Sequence, residues 1–197
     1  MSNPRFADVT GVILVGGKSR RMGRDKAFLP WQGRPLFEAI LAVFRDSFDQ
    51  VLLVGDDGGR FGAYDVPVLP DLYPGSALGG LYTGLYHART DYVFAGPCDM
   101  PFPSRELLRH LCTVKEGYDA VVPQKHDALE TLFTLYGKGC LAPMRQLLES
   151  GNFRIYDLYP MVRTRYICGE ELERAGGTGK SLVSVNTPEE AAQSLRS

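Results

Sequence analysis

The chain has 197 residues, 44% of them hydrophobic and 23% charged, and a net charge of -1. That length suits one domain that hides roughly 70% of its unfolded surface and needs no covalent staple. The near-zero charge argues against a broadly basic nucleic-acid surface, and Cys98, Cys112, Cys140 and Cys168 are too scattered for a disulfide framework, which predicts reduced thiols.

Three dispersed histidines, His87, His110 and His126, show no zinc-binding spacing. The first residues carry no apolar leader, and every apolar run is far short of the ~20 residues that span a bilayer. A cytoplasmic protein with no membrane or nucleic-acid partner is expected.

In chain order, Val9 to Val15 is a continuous apolar run that predicts a strand buried on both faces. It ends in Gly16-Gly17. Leu36, Ile40, Phe44 and Phe48 recur every four residues and predict a helix over 35–48. Val51 to Val54 and Val66 to Leu69 predict strands, the second ending at Pro70-Asp71. Leu78 to Ala88 predicts a helix opened by a glycine-rich stretch, and Tyr92 to Ala95 a strand running into Pro97-Cys98-Asp99-Met100-Pro101. Ser104 caps a predicted helix to Cys112. Strands follow at 120–122 and 131–136, a helix from Leu141 to Glu149 ended by Gly151, and strands at 162–167 and 182–185. Thr187-Pro188-Glu189-Glu190 has the cap, first-turn proline and capping-box glutamate of a last helix.

Alternating strands and helices predict an α/β fold with a mainly parallel sheet and helices on both faces. Ligands of such sheets bind beyond the carboxyl ends of the strands. The residues found there are Gly16-Gly17, Asp56-Asp57, Asp71 and Asp99.

Each has a chemistry and a bland alternative. Gly16 and Gly17 allow a tight turn with exposed amides. Lys18, Arg20, Arg21, Arg24 and Lys26 follow at once, and a triphosphate brings about four negative charges to meet them. The alternative is a solvated basic turn. Gly176 to Ser181 looks like a Walker A loop but has Arg174 where that motif needs glycine, and a strand is expected after it rather than a helix. Asp99, at a strand's end, suits one oxygen ligand to Mg²⁺; the alternative is a helix cap. Asp71 would accept the N1–H and amine of guanine, or bond its own turn; residue chemistry leaves these two even. Catalysis in such a site needs only positioning and charge neutralisation.

The segment Gly11 to Gly17, with Arg21-Met22-Gly23 and Asp25-Lys26, resembles the signature of the molybdenum cofactor guanylyltransferases, L-A-G-G-x-S/A-x-R-M-G-x-D-K. Further matches follow in order: Asp71 before Tyr73-Pro74-Gly75, then Leu78-Gly79-Gly80-Leu81, Pro97 to Pro101, and Val185 to Glu190. The resemblance spans nearly the whole chain. It implies a three-layer Rossmann-like nucleotidyltransferase fold with a mostly parallel, mixed sheet. It also implies one domain over 1–197, with a GTP-binding half to about residue 100 and a molybdopterin-binding half after it.

The implied reaction is GMP transfer from Mg²⁺-GTP to the terminal phosphate of molybdenum-molybdopterin, with release of diphosphate. Leu14, Val15, Gly16 and Gly17 would contact the nucleotide, largely through backbone. Lys26 would bind it, Asp71 would read the base, and Asp99 would hold Mg²⁺. Lys26, Asp99 and Arg21 would form the catalytic set, and Asn186 and Ser184 would lie on the pterin side. Ser184 stands where many members have asparagine, Val15 where alanine is usual, and no asparagine ends the second strand at Val54-Gly55-Asp56. A monomer is expected, with cofactor-insertion proteins and apo-molybdoenzymes as further partners. The related cytidylyltransferases carry L-A-A-G, so the Gly16-Gly17 doublet favours guanine. A sugar-phosphate nucleotidyltransferase and a non-catalytic cofactor-delivery protein are the other readings.

Overall fold

A computed structural model describes residues 5–16, 26–55, 59–177, 180–185, 187 and 190. Its first strand shows why the sheet is central. In β1 (Phe6–Leu14), Val9 and Ile13 enter one core cluster and Val12 and Leu14 the other. Successive side chains of a strand point to opposite faces, so an unbroken apolar run needs cover on both sides.

The cover comes from helices sorted by face. On the first face lie α1 (Phe37–Ser47), whose Phe37, Ile40 and Phe44 are fully buried, α3 (Arg105–Thr113) with Leu107, Leu108 and Leu111, and the short α5 (Gly169–Arg174) with Leu172. On the second lie α2 (Ala77–His87) and α4 (Leu141–Glu149), contributing Leu78, Leu81, Leu85, Met144 and Leu148. The three layers are those expected.

The remaining strands are β2 (Pro30–Trp31), β3 (Arg34–Pro35), β4 (Phe48–Val54), β5 (Val68–Leu69), β6 (Tyr92–Pro97), β7 (Ala120–Lys125), β8 (Ala128–Leu129), β9 (Thr134–Gly137) and β10 (Thr164–Ile167). The main sheet runs β10-β7-β9-β6-β1-β4-β5, and β8 pairs with β7. β1 is parallel to β4 and β6, β4 to β5, and β10 to β7. β9 is inserted antiparallel between β6 and β7, so the sheet is mixed. Lys138, just after β9, donates from its Nζ to the carbonyls of Leu85 and Ala88 and so caps the C-terminus of α2.

Several expected boundaries move. The helix expected over 35–48 is shorter, because the residues at its two ends belong to strands. Arg34 and Pro35 pair with Trp31 and Pro30 in a hairpin turned by Gln32 and Gly33 at φ 46 and 78. Phe48 opens β4, opposite Phe6. The strand expected over 131–136 covers Thr134–Gly137, and that over 162–167 begins at Thr164.

The strand expected over 182–185 does not form. Val183 closes a turn on Lys180, and Val185 makes one backbone bond, donating to the Asp99 carbonyl at 2.8 Å. One bond makes an anchor, not a ladder. The strand argument against a Walker A loop therefore falls, while Arg174, the last residue of α5, still occupies the glycine position. Thr187 Oγ1 accepts from the Glu190 N–H at 3.1 Å, as a cap should; the helix beyond it lies outside the described residues. All four cysteines carry free thiols. Among the described residues no helix is long and apolar enough to cross a membrane.

Candidate active site

Strands β1, β4, β5 and β6 are mutually parallel, so their carboxyl ends open on one edge. There a cavity of about 370 Å³ is lined by Leu14, Gly16, Lys26, Asp71, Asp99 and Ser184, with the N-terminal residues Ser76 and Ala77 of α2. Six of the ten expected site residues thus meet in one place. Val15 lies beneath them: its side chain is buried in the core and its N–H donates to the Val54 carbonyl at 2.9 Å. Gly17, Arg21 and Asn186 lie outside the described residues, as do Lys18, Arg20, Arg24, Asp56 and Asp57.

Two glycines set the distance between β1 and β4 at the rim. A Cβ on Gly55, whose φ is +114, would lie 2.5 Å from the Cα and N of Gly16, and one on Gly16 would lie 2.7 Å from the Gly55 Cα. The two backbones touch, and no side chain fits between them. The position after the second strand, where no asparagine was found, is therefore held for steric reasons.

Asp71 follows β5 and sits between Gly55 and Gly80. A Cβ on Gly80 would be 3.4 Å from its Oδ1 and one on Gly55 3.5 Å from its Oδ2. Oδ1 is shielded from solvent and has no hydrogen-bond partner. The bland alternative, a bond to its own turn, is not made by Oδ1. The loop is pinned from behind: Leu72 N–H donates to Thr83 Oγ1 at 2.9 Å, and Thr83 Oγ1 donates to the Gly79 carbonyl at 2.8 Å. Ser76 accepts from Gly79 N–H and caps α2.

Burial raises the Asp71 pKa from 3.8 to about 6. A carboxyl raised by folding favours the folded state only while it is protonated. That contribution is present below the ordinary value and is lost as pH rises through about 6. Asp71→Asn should therefore stabilise the ligand-free protein at pH 7.5 by on the order of 1 kcal/mol, discounted for solvent screening, and should do little at pH 3.5. Thermal unfolding at the two pH values tests this; an equal shift at both would remove burial of the charge as the cause.

Lys26 Nζ stands 3.7 Å from Asp99 Oδ2, an ion pair joining the end of the glycine loop to the end of β6. Ser104 Oγ accepts from Leu107 N–H and caps α3, so Asp99 is not needed as a cap. Cys98 beside it is pushed up to about 12, chiefly by burial and then by the Asp99 charge, so it remains a thiol at neutral pH. Two features were missed in the sequence. One is Leu132, a wall of the cavity. The other is Glu130, whose Oε1 accepts from Leu132 N–H at 3.3 Å. Burial raises the Glu130 pKa and the Asp99 charge raises it further. Neither lies in a glycine-rich or acidic motif, and both precede the residues of β9 that pair with β6.

A Mg²⁺ ion in phosphate chemistry takes one or two carboxylates and fills its other positions with phosphate oxygens and water. The hard oxygen of Asp99, open to the cavity, fits that demand. No group of three or more His, Cys, Asp or Glu that could hold a metal occurs among the described residues.

A glycine-bounded strand end, a lysine and a strand-end carboxylate surround one cavity on a three-layer mixed sheet, an arrangement suited to a nucleotide's phosphates and shared by the nucleotidyltransferases. The MobA-like NTP transferase domain family matches residues 11–164, and the chain belongs to that family. It is 36% identical over 183 residues to a protein of Pelotomaculum thermopropionicum named "Probable molybdenum cofactor guanylyltransferase", covering 91% of this chain and 88% of that one. It is 34% identical over 188 residues to the molybdenum cofactor guanylyltransferase of Vibrio parahaemolyticus, covering 92% of each. Among solved structures, molybdopterin-guanine dinucleotide biosynthesis protein A from Archaeoglobus fulgidus superposes with a TM-score of 0.80 at 25% identity, over 93% of this chain and 95% of that one.

Proposed function

We propose that the enzyme transfers GMP from GTP to the terminal phosphate of molybdenum-molybdopterin. The observation that carries this reading is the unpartnered, buried Oδ1 of Asp71 in the cavity that also holds the Lys26–Asp99 pair. A carboxylate accepts from the N1–H and N2 amine of guanine; cytosine lacks that pair of donors on its base-pairing edge. Fixed polar atoms left unpaired by the wrong substrate reject it strongly.

In this reading Leu14, Gly16 and Gly17 approach the nucleotide through backbone, and Lys26 with Arg21 neutralises phosphate charge. A phosphate oxygen of the acceptor attacks the α-phosphorus of GTP. The bond to the β-phosphate breaks and diphosphate leaves. The acceptor oxygen is already largely ionised at neutral pH, with a second pKa of about 6, so no protein base is required. Mg²⁺ held by Asp99 supplies positive charge to the phosphates when bound. The glycine loop and Asp71 side handles GTP, and residues after about 100, with Ser184 and Asn186, handle the pterin. Expected companions are apo-molybdoenzymes and cofactor-insertion proteins, with the enzyme itself a monomer.

The test is incubation with Mg²⁺, molybdenum-molybdopterin and each of GTP, CTP, ATP and UTP, reading diphosphate release. GTP should be used at least 10²-fold better than the others, given the unpaired carboxylate that a wrong base would leave. Preference for CTP would refute the guanylyl assignment, and no release with any triphosphate would favour a cofactor-delivery protein.

A further inference from the structure

The loop that carries Asp71 rests on α2, residue against residue. Asp71 lies against Gly80, where an added Cβ would stand 3.4 Å from its Oδ1. Leu72 N–H donates to Thr83 Oγ1 at 2.9 Å. Tyr73 lies against Gly79, whose added Cβ would fall 1.9 Å from the Tyr73 carbonyl oxygen. The Tyr73 ring also meets Tyr82 edge-on at 5.3 Å. Gly79 and Gly80 precede Thr83 by four and three residues, so the three share one face of the helix.

The glycines let the loop come close, and Thr83 makes a directional bond to it. Thr83 is fully buried. A valine would fill that place with no polar atom to satisfy, whereas a buried hydroxyl is costly unless paired. This hydroxyl is paired twice, accepting from Leu72 and donating to the Gly79 carbonyl at 2.8 Å. With its hydrogen committed to Gly79, the oxygen turns a lone pair to Leu72. The Leu72 N–H belongs to the rigid peptide plane that leaves Asp71. Holding that plane fixes the backbone rotation at Asp71, and with it the direction in which the carboxylate leaves the chain.

We propose that Thr83 is a positioning residue for base selection, aiming the Asp71 carboxylate into the cavity. The inference rests on the reading of Asp71 as the group that accepts from guanine. A threonine that served stability alone would, when lost, loosen the protein without changing which base it prefers.

The experiment is calorimetric titration of the full chain, with Mg²⁺, against GTP and against inosine triphosphate. The inosine base is guanine without the N2 amine. The ratio of the two affinities therefore reports the Asp71 contact and cancels what the phosphates contribute to both. Thr83→Val keeps the shape and removes both bonds. Its preference for GTP over inosine triphosphate should fall roughly tenfold, as for a weakened hydrogen bond to a charged group. Thr83→Ser retains the hydroxyl and should restore the parent preference. An unchanged ratio in Thr83→Val would overturn the proposal even if its melting temperature drops. Should the valine variant not fold, Thr83→Ala leaves Leu72 N–H to water and carries the same expectation and the same refutation. Asp71→Asn separates the two claims. If it loses the preference while Thr83→Val keeps it, the Thr83 role alone fails. If Asp71→Asn keeps the preference, or the parent shows none, the reading of Asp71 fails and takes this proposal with it.

Discussion

Asp99→Asn should leave a folded protein whose GMP transfer falls by on the order of 10²- to 10³-fold, the usual cost of removing one group that stabilises transition-state charge. The side chain faces the cavity and pairs with Lys26, so the change removes the charge that would hold a cation while keeping shape. The bond that anchors residues 182–185 uses the Asp99 carbonyl, which the substitution leaves in place. Stability should therefore move by less than about 1 kcal/mol, as for most changes outside a packed core. Diphosphate release and urea unfolding on the same preparation separate the two effects. Parent-like turnover would sink the role of Asp99, and unfolding at 25 °C would show that the residue is structural.

Gly55→Ala should be the most disruptive small change at the site. The residue sits at φ +114, and its new methyl would overlap the Gly16 backbone. Backbone strain and overpacking each cost about 1–3 kcal/mol, so a loss of roughly 3 kcal/mol is expected. Relief requires β1 and β4 to separate at their ends, which displaces Gly16 from the cavity and weakens nucleotide binding as well. Gly62→Ala is the control: its φ is ordinary and nothing lies within 4 Å of the new carbon, so its effect should stay within about 0.5 kcal/mol. Equal effects at the two positions would show that the Gly16–Gly55 contact is not limiting.

The layers, and six of the residues that line the candidate cavity, were legible because they obey local rules. An unbroken apolar run such as Val12-Ile13-Leu14 marks a buried strand, and Ser104 marks a helix start. Glycine and carboxylate at strand ends point to the binding edge. Pairing is not local, and that is where reading along the chain failed. The claims of a hairpin on Pro35 and of β4 on Phe48 depend on partners that periodicity cannot see. Residues 182–185 have strand-like composition but no neighbouring strand to complete a ladder. Leu132 reaches the cavity from the segment that leads into β9, a strand antiparallel to β6.

That reversed strand has a consequence for how the molecule is made. β6 is complete at Pro97, but its second neighbour does not exist until Thr134 to Gly137 have been synthesised. During synthesis the nascent first half therefore exposes the bare edge of a strongly apolar strand, a template for wrong partners. The 36 residues between Pro97 and Thr134 include α3 and β7, which must emerge before that edge is covered. Lys138 follows at once and fastens the new strand to α2. The edge of β6 is thus sealed by residues made well after it, and the strands before Pro97 cannot complete their sheet until β9 has emerged.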